Sequence, residues 1–316
     1  MGLGYGQTPA PIQGQKVHYE IEARLDTQNH TLTAQMKMEY IHRAPDTLSE
    51  LYLHLWANAY QNRNSAFAQE LLNRNETHFH FSSANERGGY RELDVQTEGH
   101  TLPIEYTAEP DIARLPLHRR LSPGDTLTLI ISYRLRIPLS FSRLGRTADS
   151  YQLTQWYPKP AVYQDGEWIT FPYADQGEFY SEFGRFEVEL DAPADFLVAA
   201  TGQPDPAVEK RLATVAQSQQ YYAAYRDSLQ PSEKRLIWTY QAELVHDFAL
   251  FLDRNFRVDH EMQPLDGGRE VDVWAFYTPR QAKLWKNATR YLARALVFFS
   301  DEIGTYPYPQ FTAIEG

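Results

Sequence analysis

The sequence predicts a mainly β protein: an antiparallel body of sandwich or barrel-like form, followed by one strand and a long helix. Three observations carry this reading. Apolar residues recur with a period of two from Gln15 to about Thr201. The periodic runs are short and separated by Pro, Gly and Asp turns. After "PLDGGRE" the period lengthens to that of a helix.

Taken in order, Val17, Tyr19, Ile21, Ala23 and Leu25 alternate with polar residues. "DTQNH" turns the chain, and Leu32, Ala34, Met36, Met38 and Tyr40 alternate again, which reads as a hairpin with one buried face. Leu51, Leu53 and Leu55 continue the pattern, as do Leu127, Leu129, Ile131, Tyr133 and Leu135 before Pro138. "RFEVEL", Arg185 to Leu190, is another half-buried strand. Residues 63–79 interrupt with a short helix signal from Phe67, Leu71 and Leu72. A helical insertion is expected near 205–229: Asp205 suits a cap and Pro206 the first helical position. Strands resume at "KRLIWTY" and "LVHDFALFL".

"VDVWAFY" then reads as a buried strand. Thr278, Pro279 and Gln281 form a capping-box pattern, and Leu284, Ala288, Tyr291, Leu292, Ala295 and Phe299 share one helical face up to Gly304. The expected organisation is a flexible tail over 1–14, a β domain over 15–268, and the start of a second domain over 269–316. The last apolar run, Phe311 to Ile314, is only begun when the sequence stops. The chain is therefore expected to be the front of a longer protein.

Composition narrows function. The 316 residues carry no cysteine, which excludes thiol catalysis, disulfides and thiolate-held zinc. The net charge of −11 lacks the basic footprint of a nucleic-acid binder. No apolar run approaches the roughly 20 residues that span a bilayer, and "MGLGYGQTPAPIQGQ" does not have the make-up of a signal peptide.

Hydrolytic zinc needs two His one helical turn apart, a third ligand and an open water position. "DHEMQP" offers His260 and Glu261, but Pro264 stands where the second His is needed and breaks the helix. These two residues read as a solvated turn. His78 and His80 read as alternating on a surface strand, with weak chelation of a metal as the alternative. There is no Gly-x-Ser-x-Gly elbow and no Gly-rich phosphate loop. The aromatic stretches "QWYPKPAVY", "GEWITFPY" and "GEFYSEF" read as rigid core beneath a cleft, with a stacking platform for sugars or peptides as the alternative. Asp175, Glu178 and Glu182 read as acidic turn residues, and Asp247 as a structural acid binding backbone amides or an Arg.

"LTQWYPKPAVY", "FYSEFGRFEVELDAPADFLVAATG", "WTYQAELVHDFALFLDRNF", "VDVWAFY" and "YPYPQF" together resemble the N-terminal region of the aminopeptidase N family of zinc metallopeptidases, peptidase family M1. The resemblance runs from Gln15 to Gly316. In detail it is to the bacterial branch with a Gly-Met-Glu-Tyr exopeptidase motif. It implies a saddle-shaped, mostly antiparallel β domain, followed by the first strand and long helix of a thermolysin-like α/β catalytic domain. It also implies that zinc belongs to the full-length parent, on residues after Gly316. The present chain is then expected to be inactive and to hold no metal or cofactor, with the catalytic domain as its missing partner.

In such proteins a Gln-x-Glu loop of the β domain accepts hydrogen bonds from the protonated α-amine of a peptide substrate. The matching residues here are Gln155, Trp156 and Tyr157. Gln155 keeps the acceptor, and Tyr157 puts a phenol where the acid would stand. The resemblance thus assigns substrate binding to Gln155 and Tyr157, and favours an extracytoplasmic location over a cytoplasmic one. Two alternatives stay open: a non-catalytic binding or scaffold member of the same fold, and a carbohydrate-binding β-sandwich.

Overall fold

The computed structural model describes residues 17–228 and 234–316. The tail expected over 1–14 and the end of the helical insertion lie outside the described residues. The body is mainly β, as the alternation requires. Its largest sheet has eight strands in the order Gln203–Pro204, Arg235–Val245, Gly184–Pro193, Val17–Asp26, Thr31–Ile41, Thr126–Arg136, Gly89–Thr97 and His100–Thr101. The order runs from edge to edge without closing into a barrel. Neighbours are antiparallel except Val17–Asp26 and Gly184–Pro193, which run parallel.

Register decides which residues are inside. Ile21 pairs with Met36, and Met36 with Ile131; all three are buried on one face. Two four-stranded sheets pack on that face. One is ordered Leu197–Ala200, Leu250–Asp253, Ser150–Leu153 and Gly145–Arg146; the other Lys159–Pro160, Leu48–His54, Ile112–Leu121 and Glu105–Tyr106. One continuous core joins the three sheets, with Trp56, Trp156 and Trp238 fully buried in it.

The insertion is a helix, Pro206–Ser218, followed by Tyr222–Ser228. Asp205 caps the first through its side chain, which accepts the Val208 amide at 2.7 Å, and Pro206 opens it. The other interruption is a short helix, Ala66–Asn73, with Ser65 accepting the Ala68 amide. His78 and His80 follow in a single helical turn, His78–Phe81, rather than on a strand. Helical geometry puts neighbours two apart on different faces, so the alternation read there is not a chelating pair.

Arg257–Leu265 and Arg269–Tyr277 form a hairpin whose turn contains Gly267 and Gly268, both at positive φ. The strand Gln310–Ile314 adds in parallel to Arg269–Tyr277, and the helix Ala288–Glu302 lies between them in sequence. The segment after Thr278 differs from expectation. The Thr278 hydroxyl does not cap a helix; it donates to the Glu315 carboxylate at 3.0 Å, and the Thr278 amide donates to the same group at 2.6 Å. The helix breaks at Lys286 and Asn287 and restarts at Ala288. Its buried contacts come from Ala293 and Leu296 with Leu292, while Leu284, Tyr291 and Phe299 are exposed.

His260 and Glu261 lie in the strand Arg257–Leu265, not in a turn. His260 stacks on Trp274 with ring centroids 3.9 Å apart and meets Asp272 through Nε2 at 2.7 Å. Pro264 is tolerated because the strand is at the edge of its three-stranded sheet.

Candidate functional site

Gln155, Trp156 and Tyr157 occupy the turn that follows the strand Ser150–Leu153. Aromatic packing fixes this turn. The Trp156 indole N–H donates to the Phe248 carbonyl at 3.0 Å, and the Trp156 carbonyl accepts from the Tyr90 hydroxyl at 3.2 Å. The parallel register places Tyr19 beside Phe186, and their rings stack 4.4 Å apart. Tyr157 sets its ring edgewise on both, at 5.4 and 5.6 Å. Gln155 adopts φ +52, a left-handed conformation that costs a residue with a Cβ about 1–2 kcal/mol. Gln155 is 4% exposed and Tyr157 1% exposed.

Lys159 follows, between Pro158 and Pro160, and pairs across the sheet with His54. Its side chain turns inward and is 1% exposed. The ammonium lies 5.0 Å from the Tyr157 ring centroid and 5.3 Å from that of Trp56. An ammonium in such surroundings needs acceptors. It has two, the Gln155 amide oxygen at 2.8 Å and Asp247 Oδ1 at 2.6 Å.

Asp247 arrives from the far end of the chain. The strand Arg235–Val245 ends beside Leu244, which is itself at φ +54, and Asp247 stands in the bend before Leu250–Asp253. Tyr308 donates its hydroxyl to the Leu244 carbonyl at 2.8 Å, tying this bend to the C-terminal segment. Asp247 Oδ1 takes three donors: Lys159, the Phe248 amide at 2.7 Å and the Tyr157 hydroxyl at 3.1 Å. Oδ2 accepts from the Gln155 side-chain amide.

Burial pulls the Lys159 pKa below its ordinary value, and attraction to Asp247 opposes that fall. Burial, reinforced by the same carboxylate, pushes Tyr157 well above the usual phenol range, so it acts as a neutral donor. Gln155 and Tyr157, the two residues singled out from sequence, therefore belong to one buried network, and both point their polar atoms at Asp247 or Lys159. Asp247 does bind a backbone amide as expected, but its cation is a lysine. The signal for Lys159 was available: a lone charge inside the apolar, proline-flanked run "WYPKPAVY". The signal for its pairing with Asp247 was not, because 88 residues separate them.

Other candidates resolve locally. Asp175 accepts from Ser142 at 2.5 Å and pairs with Arg74. Of the aromatic stretches, Trp156, Tyr157 and Tyr173 are buried core, whereas Tyr180 and Phe183 of "GEFYSEF" are exposed. Among the described residues, no three His, Asp or Glu side chains converge as a metal ion requires, and no helix is long and apolar enough to cross a membrane.

No protein-family model and no curated protein matches this sequence. Solved structures do match in fold. A mutant of a two-domain M1 zinc metallopeptidase bound to L-tryptophan superposes with a TM-score of 0.55 at 15% identity, over 96% of this chain and 57% of that one. The M1 zinc metallopeptidase of Deinococcus radiodurans gives 0.52 at 15% identity, over 95% and 57%. A mutant of it bound to Tyr-Ser-Ala gives 0.54 at 15% identity, over 96% and 56%. The chain thus spans a little over half the length of these proteins. Over that span it has the fold of the M1 zinc metallopeptidases, built around a mainly β body.

Proposed function

We propose that this chain is the β-domain part of a zinc-dependent aminopeptidase-like metallopeptidase that hydrolyses peptides from the amino end. The observation that carries the reading is the superposition of nearly the whole chain on M1 zinc metallopeptidases. The turn Gln155–Tyr157 would face the peptide's α-amine, and residues 269–316 would open the catalytic domain. The parent is proposed to act outside the cytoplasm. Zinc, when bound by the parent, would activate water. The described residues offer no set of ligands for it. What this chain supplies is a rigid floor: a turn locked by Trp156 and Tyr157, and an amide held in place by Asp247 and Lys159.

One observation favours the scaffold reading. The Gln155 oxygen, the acceptor that the resemblance offers to a substrate, already holds the Lys159 ammonium.

The test is expression of the longer gene product. Hydrolysis of aminoacyl-nitroanilides, with one zinc per chain and loss of activity on chelation, would support the enzyme. A well-folded product that binds no zinc and cleaves no peptide would leave the scaffold reading in its place. The present chain alone is expected to be inactive in the same assay.

A further inference from the structure

We infer that a cavity between the short helix Trp56–Tyr60, with the turn after it, and the loop that follows Glu105–Tyr106 binds a neutral saccharide. This goes beyond the peptidase reading and does not rest on it. The cavity holds about 370 Å³, within the range of small-molecule sites. In so acidic a chain its lining stands out. Among the described residues that line it none is charged, and the polar groups are the carboxamides of Asn58, Gln61, Asn62 and Asn64, the Tyr106 phenol and the Thr107 hydroxyl. Hydrogen bonds fix these walls and leave amide atoms unspent. Asn58 is buried and uses its whole amide on the frame. Its Nδ2 donates to the Pro110 carbonyl at 3.0 Å, which ties the two walls together, and its Oδ1 accepts the Tyr90 amide at 2.9 Å and the Gln61 side chain. Gln61 Nε2 divides its two hydrogens between Asn58 Oδ1 and the Tyr90 carbonyl. Its Oε1 is then the atom left for a ligand. This seat exists because residue 89 is glycine: a Cβ there would lie 2.3 Å from Gln61 Cγ.

Asn62 Oδ1 takes the Asn64 backbone amide at 2.8 Å, which leaves the Asn62 side-chain N–H donors for a ligand. On the opposite wall Thr107 is held by its own turn, its amide donating to the Ile112 carbonyl at 3.1 Å and its hydroxyl to the Glu109 carbonyl at 3.1 Å. Fixed donors and acceptors without charge select the ligand. A sugar hydroxyl both donates and accepts, so neighbouring hydroxyls match a carboxamide that offers one of each. A charged ligand would lose hydration there without gaining a counter-charge. The Tyr106 ring, 54% exposed, supplies a flat apolar surface for the C–H face of a pyranose. Asn58 and Gln61 are already ordered, so binding costs little additional entropy on that wall.

The experiment is an NMR titration of this chain with cellotriose, maltotriose and triacetylchitotriose, read on the side-chain amide resonances of Gln61, Asn62 and Asn64. At least one of the three should shift them with a Kd of about 1 mM or below, and high salt should leave that shift unchanged. Tyr106→Ala should weaken binding about tenfold, and Asn64→Ala should weaken it as well. Both side chains are exposed, so the backbone spectrum of each variant should keep the wild-type pattern. Trigalacturonic acid, uridine and N-acetyltriglycinamide serve as comparison ligands. A stronger response to any of these would overturn the saccharide assignment and give the cavity to that class of ligand. The absence of a shift with all three neutral sugars, or an affinity unchanged in Tyr106→Ala, would overturn the site itself.

Discussion

Lys159 and Asp247 meet at 2.6 Å, with the cation 1% and the carboxylate 24% exposed. This asymmetry shapes the site. A fully buried ammonium is costly, and it is held by one charge, one amide oxygen and two aromatic faces. The carboxylate has water on one side and could stand alone more easily.

Removing the carboxylate should therefore hurt more than removing the cation. Asp247→Asn leaves Lys159 buried with neutral oxygen acceptors and no counter-charge, and a loss of about 3–5 kcal/mol is expected in urea unfolding. Lys159→Met should cost clearly less, and the double variant should recover most of the loss. Additive single and double variants would show that the pair is not coupled.

Tyr157→Phe isolates the weakest of the three donors on Oδ1. The ring contacts with Tyr19 and Phe186 survive, and the 3.1 Å hydrogen bond to Asp247 is lost. A loss of about 1 kcal/mol is expected, since the acceptor keeps its other donors. A loss above about 3 kcal/mol would mean that the hydroxyl does more than this bond.

Backbone constraints give a sharper contrast. Gly202 has φ +85, and a Cβ there would lie 2.2 Å from the Gln241 carbonyl oxygen. Gly166 has nearly the same φ, +86, with no atom within 4 Å. Gly166→Ala should cost about 1 kcal/mol from conformational strain alone. Gly202→Ala must also push the strand Arg235–Val245 away from Gln203, and should cost above about 3 kcal/mol. Comparable chemical-denaturation midpoints for the two variants would contradict the close approach.

The C-terminal helix predicts solution behaviour. Phe298, Phe299 and Ile303 are 58%, 55% and 80% exposed. Contiguous exposed apolar side chains bind hydrophobic dyes and promote association. Phe298→Lys with Phe299→Lys should lower dye fluorescence and self-association in light scattering without lowering stability. A fall in stability would mean that these rings are packed in solution.

The β body was legible in the sequence because alternation in Val17–Leu25 and Leu32–Tyr40 reports directly which face is buried. The start of the helix that follows Thr278 was not. The local capping pattern there competes with a partner 37 residues away, Glu315, which takes both the amide and the hydroxyl of Thr278. His260 failed similarly: its ring is claimed by Trp274 on the paired strand, and pairing is invisible to a local pattern. The site was half legible. Gln155 and Tyr157 could be named from "QWYPK", but what their polar atoms face depends on Asp247 from the far end of the chain.

His54 supplies the pH prediction. Its ring stacks on Trp56 at 4.4 Å and accepts the Phe171 amide at 3.3 Å through Nε2. Burial, assisted by the nearby Lys159 charge, lowers its pKa to about 3. In the unfolded chain the ordinary value is about 6.5. Between these values the unfolded state binds the proton and the folded state does not, so His54 contributes stability above about pH 6.5 that is lost as pH falls toward 3. Asp111 works in the opposite sense. Burial raises it to about 6, so its contribution is present at low pH and disappears as pH rises through 6. The two overlap, and the wild-type profile alone would not separate them. The difference between wild type and His54→Phe does, because Phe keeps the stacking and cannot titrate. That difference should shrink by a few kcal/mol from pH 7 to pH 4 in urea unfolding, leaving His54→Phe relatively more acid-resistant. A difference constant with pH would show that His54 titrates normally and is not held neutral by burial.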